Sequence, residues 1–199
     1  MALNVRAVSS LYGGFWNFDV QDFCYMTNRY FPPEAFLESL STNLRTLVDS
    51  YPSTNRYLSS LVAEPLGMAP EELVVGNGAS ELISAISSLR VKHLAIPFPT
   101  FDEYPNRAEA QGKRVSAYAV DAAFKLDVEG FIAHVRETGA NSVVIVQPNN
   151  PAGTLVPKEE MVQMFRSFSD LDMVLVDESF LYFAGPDYLE LSVAGLVHE

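Results

Sequence analysis

The stretch Ser142-Val143-Val144-Ile145-Val146-Gln147-Pro148-Asn149-Asn150-Pro151-Ala152-Gly153 decides the fold. Its first part is apolar without alternation, as a strand covered on both faces of a parallel sheet must be. It then breaks into a rigid polar loop. The same order recurs three times: Val74-Val75 runs into Gly76-Asn77-Gly78-Ala79-Ser80-Glu81, Leu94-Ala95-Ile96 into Pro97-Phe98-Pro99-Thr100-Phe101-Asp102-Glu103-Tyr104, and Met173-Val174-Leu175-Val176 into Asp177-Glu178-Ser179-Phe180. Ligands of open parallel sheets bind outside the carboxyl ends of the strands. Four such ends rich in Gly, Asn, Asp, Ser and Tyr describe a small-molecule site.

Working outward, strands are predicted at 73–76, 93–96, 114–120, 142–147 and 172–177, with helices between them. The helix through Leu82, Ile83, Ile86 and Leu89 follows the first strand, and the next runs to Gln111 and stops at Gly112. Asp127 is the expected N-cap of a helix that ends before Gly139, and Pro157 opens a helix over 157–168. Strands alternating with helices predict an α/β fold, a three-layer sandwich with a mostly parallel sheet. Strands 143–146 and 173–176, apolar on both sides, are expected at the sheet centre.

Ahead of this unit, residues 1–32 look like an extended arm, with Tyr12-Gly13-Gly14-Phe15-Trp16 broken by glycine. Phe23–Thr27 reads equally as a short strand or a coil packed by aromatics. From Pro33, the spacing of Phe36, Leu37, Leu40, Leu44, Leu47 and Val48 gives one apolar helical face. Tyr51-Pro52 breaks it. Ser53 or Thr54 caps a second helix, expected to stop before Pro65.

With 199 residues, 48% hydrophobic and 19% charged, the chain is an ordinary globular one. A net charge of −12 argues against nucleic-acid binding, and no polybasic run exists to hold an anionic membrane. Cys24 has no partner for an intrachain disulfide, so a reducing compartment suits it. The first residues carry no basic and then apolar leader, and a soluble cytoplasmic protein is expected.

Each polar cluster has two readings. Gly78, Ala79 and Ser80 follow a strand and open a helix, where unpaired N–H groups can cradle a phosphate; an ordinary turn capped by Ser80 fits equally. Glu81 stands where a dinucleotide fingerprint needs its third glycine, which argues against that ligand. Asp177 ends an apolar strand and needs a partner: a cationic heterocycle, or a neighbouring loop. Asn149 and Asn150 offer amides to a ligand, or simply make a turn. Tyr104 can stack on a flat ligand, or be a core aromatic. Together, a phosphate cradle, a stacking ring, an amide and an acid suit a phosphorylated aromatic cofactor with a basic ring nitrogen, such as pyridoxal phosphate.

At these residues the sequence resembles a known family. Asn-Gly-Ala-Ser-Glu, Pro-x-Phe-x-x-Tyr, Pro-Asn-Asn-Pro-x-Gly and Val-Asp-Glu-x-Phe, in this order, resemble the class I/II aminotransferases of the aspartate aminotransferase fold. The likeness is greatest to histidinol-phosphate aminotransferases and threonine-phosphate decarboxylases and covers roughly residues 12–183. It implies the large domain of a pyridoxal-phosphate-dependent transferase over 51–199, incomplete at its C-terminal side, with residues 1–50 as an arm and first helix belonging to a small domain. It implies that Gly78, Ala79 and Ser80 bind the cofactor phosphate, Tyr104 stacks on the ring, Asn150 meets the ring hydroxyl and Asp177 the ring nitrogen. Tyr51 would reach the phosphate in a partner subunit, implying a homodimer with shared sites, and Asn28 would lie near the substrate.

Two departures qualify the resemblance. Phe180 stands where the family usually has a tyrosine that bonds the ring hydroxyl; threonine-phosphate decarboxylases often have phenylalanine there. The family's Schiff-base lysine lies downstream of the Val-Asp-Glu strand, whereas this chain has only Lys92, Lys113, Lys125 and Lys158. The expected function is transfer of an amino group between an amino acid and a 2-oxo acid, with the 199 residues inactive by themselves and prone to associate through exposed apolar sheet. Decarboxylation of a phosphorylated amino acid and a non-catalytic binding role are the alternatives.

Overall fold

The computed structural model describes residues 15–23 and 27–196. The chain forms two compact units that divide between Leu58 and Ser59. In the first, a 3-10 turn at Phe15–Asn17 precedes helix α1, Glu34–Asp49. Pro33 stands before α1 with φ of −68° and ψ of 156°, which suits an entry from extended chain. The short strand expected at 23–27 falls largely outside the described residues. Helix α2, Asn55–Leu66, spans the division between the units. Thr54 caps it as expected, its Oγ1 accepting from the Tyr57 N–H at 3.3 Å. α2 does not stop before Pro65, however, but carries it in its last turn. Proline disrupts the helix by lacking an N–H and crowding the carbonyl four residues back. That cost is tolerable where the helix ends one residue later, at Leu66, and Gly67 follows with φ of +65°.

The second unit is the predicted α/β fold. Its elements in order are α3 (Ala79–Arg90), β1 (His93–Phe98), α4 (Glu103–Ala110), β2 (Arg114–Ala119), α5 (Val128–Thr138), β3 (Ser142–Val146), α6 (Lys158–Ser167), β4 (Met173–Asp177) and the short α7 (Tyr188–Leu191). The sheet is parallel throughout, in the order β2-β1-β3-β4. Side-chain alternation along the strands divides the core in two. Leu94, Ile96, Val144 and Val146 pack with Ile83 of α3 and with Tyr104 and Ala108 of α4. Ala95, Val143 and Ile145 face the other way, onto Val128, Phe131 and Val135 of α5 and Met161 and Met164 of α6. α5 follows its sequence signals: Asp127 accepts from the Gly130 N–H at 3.1 Å, and Gly139 ends the helix at φ of +66°.

Two strand expectations are corrected. Segment 73–76 begins extended at Leu73 but joins no sheet among the described residues, and Val74 is 67% exposed. An extended segment becomes a strand only with a ladder partner, and none of the described residues pairs with it. β3 is central, with all five residues buried, but β4 is an edge strand paired only to β3, its five residues half-buried. Its sequence is that of a central strand, and its position here is not.

The amino ends of the strands are fastened by Asn141. Its Oδ1 accepts from the N–H groups of Lys92 and His93 at 3.1 and 2.9 Å, and its Nδ2 donates to Asp172 at 2.7 Å. That bond, followed by the charge of Lys92, holds the Asp172 carboxyl below its ordinary range.

His93, buried at the start of β1, lies near the half-buried His134 of α5. His93 Nε2 is 2.8 Å from Ser116 Oγ, and its Nδ1 and the Nε2 of His134 are buried without a protein partner among the described residues. Burial, then the charges of Arg114 and His134, push the pKa of His93 below 6.5. The folded state therefore resists a proton that the unfolded chain accepts. Stability contributed by neutral His93 is whole above the unfolded value near 6.5 and falls as pH drops below it. The denaturation midpoint is expected to decline between about pH 7.5 and 5.5, and His93→Gln to flatten that decline. An unchanged slope in His93→Gln would show that His93 does not carry it.

Candidate functional site

The chain steps from β1 out to β2, then returns past β1 to β3. The crevice outside the carboxyl ends of β1 and β3 is therefore the switch point where ligands of such sheets bind. Asn149 ties the two loops across it, its Nδ2 donating to the Pro99 carbonyl at 2.9 Å. The Asn149 N–H donates to the Thr154 carbonyl at 2.8 Å, and the Gly153 N–H returns to the Asn149 carbonyl at 2.6 Å. Gly153 has φ of +69°, which favours glycine there. Gln147 fastens the base of the loop. Its side chain is buried; Nε2 donates to the Val156 carbonyl and Oε1 accepts the Val156 N–H, both at 2.9 Å. Its own N–H donates to the Asp177 carbonyl at 2.8 Å, coupling the loop to β4. Asn150 is half-buried on this loop, and its amide makes no side-chain hydrogen bond among the described residues.

Asp177 closes β4. Its Oδ2 accepts from the Tyr104 hydroxyl at 2.8 Å and its Oδ1 from the Ser179 N–H at 2.9 Å. A carboxylate offers about four lone-pair sites, so these two bonds orient it and leave accepting capacity. Tyr104 is 7% exposed and lies in the core between α4 and the sheet. Burial, then the nearby charge of Asp177 and the hydrogen bond to it, push its hydroxyl pKa well up, so it stays a donor. Its ring thus supports the acid from behind. Phe101, half-buried, meets it edge-on with centroids 6.2 Å apart and is the more accessible aromatic.

On the α3 side, Gly78 is the N-cap residue at φ of +80°, with open space where a Cβ would stand. The Asn77 N–H donates to the Glu81 carboxylate, fixing the loop before the helix. Ala79 and Ser80 form the first turn. Gln111, just after α4, donates to the Ser84 carbonyl at 3.2 Å, tying α3 to the element that bears Tyr104.

Tyr104 and Gln147 are thus both bonded to Asp177, Asn149 ties the neighbouring loops, and the α3 turn lies on the same face of the sheet as Tyr104. Phe180 is half-buried and lies against Phe183, centroids 6.2 Å apart. Tyr51 and Asn28 belong to the first unit. Tyr51 follows α1, and Asn28 closes a local turn, its Oδ1 accepting the Tyr30 N–H at 2.9 Å. Of the four lysines, Lys92 pairs with Asp172 at the amino end of the sheet, and Lys158 donates to the Glu190 carbonyl at 3.1 Å. Sequence reading missed Gln147 and Phe101. A glutamine continuing a buried apolar run, and a second aromatic three residues before Tyr104, were the available signals.

The residues fit the cofactor foreseen. A glycine in left-handed conformation opens a helix whose first N–H groups suit a phosphate, and an oriented carboxylate at a strand end suits a protonated ring nitrogen. Comparison with known proteins agrees. Residues 15–196 match the family model described as aminotransferase class I and II. Over 180 residues the chain is 36% identical to a CMP-5'-(3-aminopropyl)phosphonate synthase of Streptomyces rubellomurinus, covering 90% of this chain and 28% of that protein. It is 29% identical to an L-serine phosphate decarboxylase of Campylobacter jejuni, covering 89% of this chain and 48% of the relative. The solved structure of the histidinol-phosphate aminotransferase of Clostridium acetobutylicum superposes with a TM-score of 0.70 at 27% identity, covering 83% of this chain and 48% of that one.

The α/β sheet is that of the large domain of pyridoxal-phosphate-dependent transferases. The chain belongs to the class I and II aminotransferase family, whose cofactor is pyridoxal phosphate. It spans less than half the length of the relatives just named.

Proposed function

We propose that this chain is the cofactor-holding portion of a pyridoxal-phosphate enzyme acting on a small amino acid that bears a phosphate or phosphonate group, and that the reaction is decarboxylation. The observation that carries the proposal is the likeness to phosphate and phosphonate enzymes, with a serine phosphate decarboxylase at 29% identity over 89% of the chain. Phe180, in place of the tyrosine usual in aminotransferases, favours the same reading. Bound pyridoxal phosphate supplies an electron sink for the bond broken at the amino-bearing carbon.

Gly78, Ala79 and Ser80 hold the cofactor phosphate, Asn150 the ring hydroxyl and Asp177 the protonated ring nitrogen, while Tyr104 keeps the Asp177 carboxylate in place. Phe101 offers its ring face in the role first assigned to Tyr104. The lysine that anchors the cofactor and moves the proton is supplied by a part of the enzyme outside these residues. Tyr51 reaches the phosphate in the second subunit of a cytoplasmic homodimer, and Asn28 lies beside the substrate. Amino transfer to a 2-oxo acid is the second reading, supported by the likeness to histidinol-phosphate aminotransferase.

The test is an assay of the protein expressed from its whole gene, given O-phospho-L-serine with and without 2-oxoglutarate. Carbon dioxide release independent of the oxo acid is expected. Glutamate formation that requires the oxo acid would establish amino transfer instead, and neither product would overturn the substrate class.

A further inference from the structure

The loop bearing Asn149 also walls a separate space. A cavity of about 210 Å³ lies beside the ends of β1 and β3, on the face covered by α5 and α6. Asp177, Tyr104 and Ser80 take no part in it. Its apolar walls include Pro97, Leu126, Ile145 and Val156, and it also touches Lys125 and Glu160. Lys125 is exposed and Glu160 half-buried, which places both toward the mouth. Neither is in an ion pair, the four found among the described residues lying elsewhere.

The backbone around the cavity is held firmly. The Asp121 carboxylate accepts the N–H groups of Ala123 and Lys125, each at 2.8 Å. Thr154 Oγ1 donates at 3.0 Å to the carbonyl of Phe124, whose φ is +60°. A left-handed phenylalanine costs energy, so these bonds fix a shape the segment would not adopt unaided.

Opposite charges at the mouth of a small, mostly apolar cavity suit a small zwitterion. A purely apolar guest would use neither charge, and a phosphate would meet the Glu160 carboxylate as well as Lys125. A volume of about 210 Å³ lies below the roughly 300–1,000 Å³ of most ligand pockets, which suits a small metabolite better than a nucleotide. We propose that this cavity binds the zwitterion of a branched-chain amino acid, its carboxylate on Lys125, its ammonium on Glu160 and its side chain among Pro97, Leu126 and Ile145. The site is independent of the cofactor site and of the reaction proposed above.

The test is calorimetric titration of the cofactor-loaded protein expressed from its whole gene, using L-leucine, 4-methylpentanoate, which lacks the ammonium, and 3-methylbutylamine, which lacks the carboxylate. Leucine is expected to bind saturably at about millimolar concentration, and each analogue about tenfold more weakly or worse. Lys125→Gln and Glu160→Gln should each weaken leucine about tenfold. Leu155→Trp, at a wall residue 38% exposed, should fill the mouth and abolish binding while circular dichroism shows an unaltered fold. Absence of saturable heat with folded chain overturns the proposal. So does equal binding of either analogue, or leucine affinity unmoved by all three substitutions.

Discussion

Asp177→Asn is expected to weaken pyridoxal phosphate binding to this chain by about a hundredfold, measured by titration of the cofactor's absorbance. Removing one partner of a desolvated, hydrogen-bonded charge pair costs about 2–5 kcal/mol, and 1.4 kcal/mol is a factor of ten. Asparagine keeps the shape but only one accepting oxygen, which can take the Ser179 N–H that now stands 2.9 Å from Oδ1; the Tyr104 hydroxyl, 2.8 Å from Oδ2, must then turn and accept from the amide Nδ2. The charge and one accepting oxygen are lost, while a turned Tyr104 hydroxyl keeps a partner, so the fold should lose no more than about 1 kcal/mol. Asp177→Ala separates the two roles: it should weaken the cofactor comparably and also destabilise the fold by about 1–3 kcal/mol, because the buried Tyr104 hydroxyl loses its acceptor. If Asp177→Asn binds the cofactor as tightly as the native chain, Asp177 does not face the ring nitrogen.

Much of this arrangement was legible in the residues, for a physical reason. Strands buried on both faces must be apolar throughout, so β1 and β3 could be read directly, and their polar ends located the crevice. The ends of α5 were equally plain, because an aspartate N-cap and a left-handed glycine act within a few residues of chain. What failed depends on distant chain. Segment 73–76 has the composition of a strand, but pairing is a property of two segments, and no described residue supplies the second. β4 reads as central for the same reason and lies at an edge. Tyr104 illustrates the limit within the site. Its place after Pro97-Phe98-Pro99 marked it as important, yet whether its ring faces a ligand or its hydroxyl holds an acid turns on a contact with Asp177, 73 positions away. Pro65 shows a weaker rule overridden, since a proline near a helix end costs less than one in its interior.

The loop that carries Asn149 and Asn150 should depend on a residue that touches no ligand. Gln147→Ala is expected to destabilise the chain by about 3–5 kcal/mol, measured by urea denaturation. The amide of Gln147 serves both polar groups of Val156, one as donor and one as acceptor. Alanine removes two bonds at once and leaves a backbone N–H and carbonyl unpaired beside the cavity. Gln147→Glu tests the geometry further: it can still accept from the Val156 N–H but turns a carboxylate toward the Val156 carbonyl, so it should rescue little. Hydrogen exchange should show lost protection first at Val156 and then at Asn149 and Gly153, the amides this segment holds. Because the Gln147 N–H also bonds the Asp177 carbonyl, loosening the loop should slacken the end of β4, and cofactor affinity should fall with it in conditions where the chain remains folded. A Gln147→Ala chain with native stability and native protection at Val156 would mean that the loop is held by Asn149 and Gly153 instead, and that Gln147 is a buried polar residue without consequence for the site.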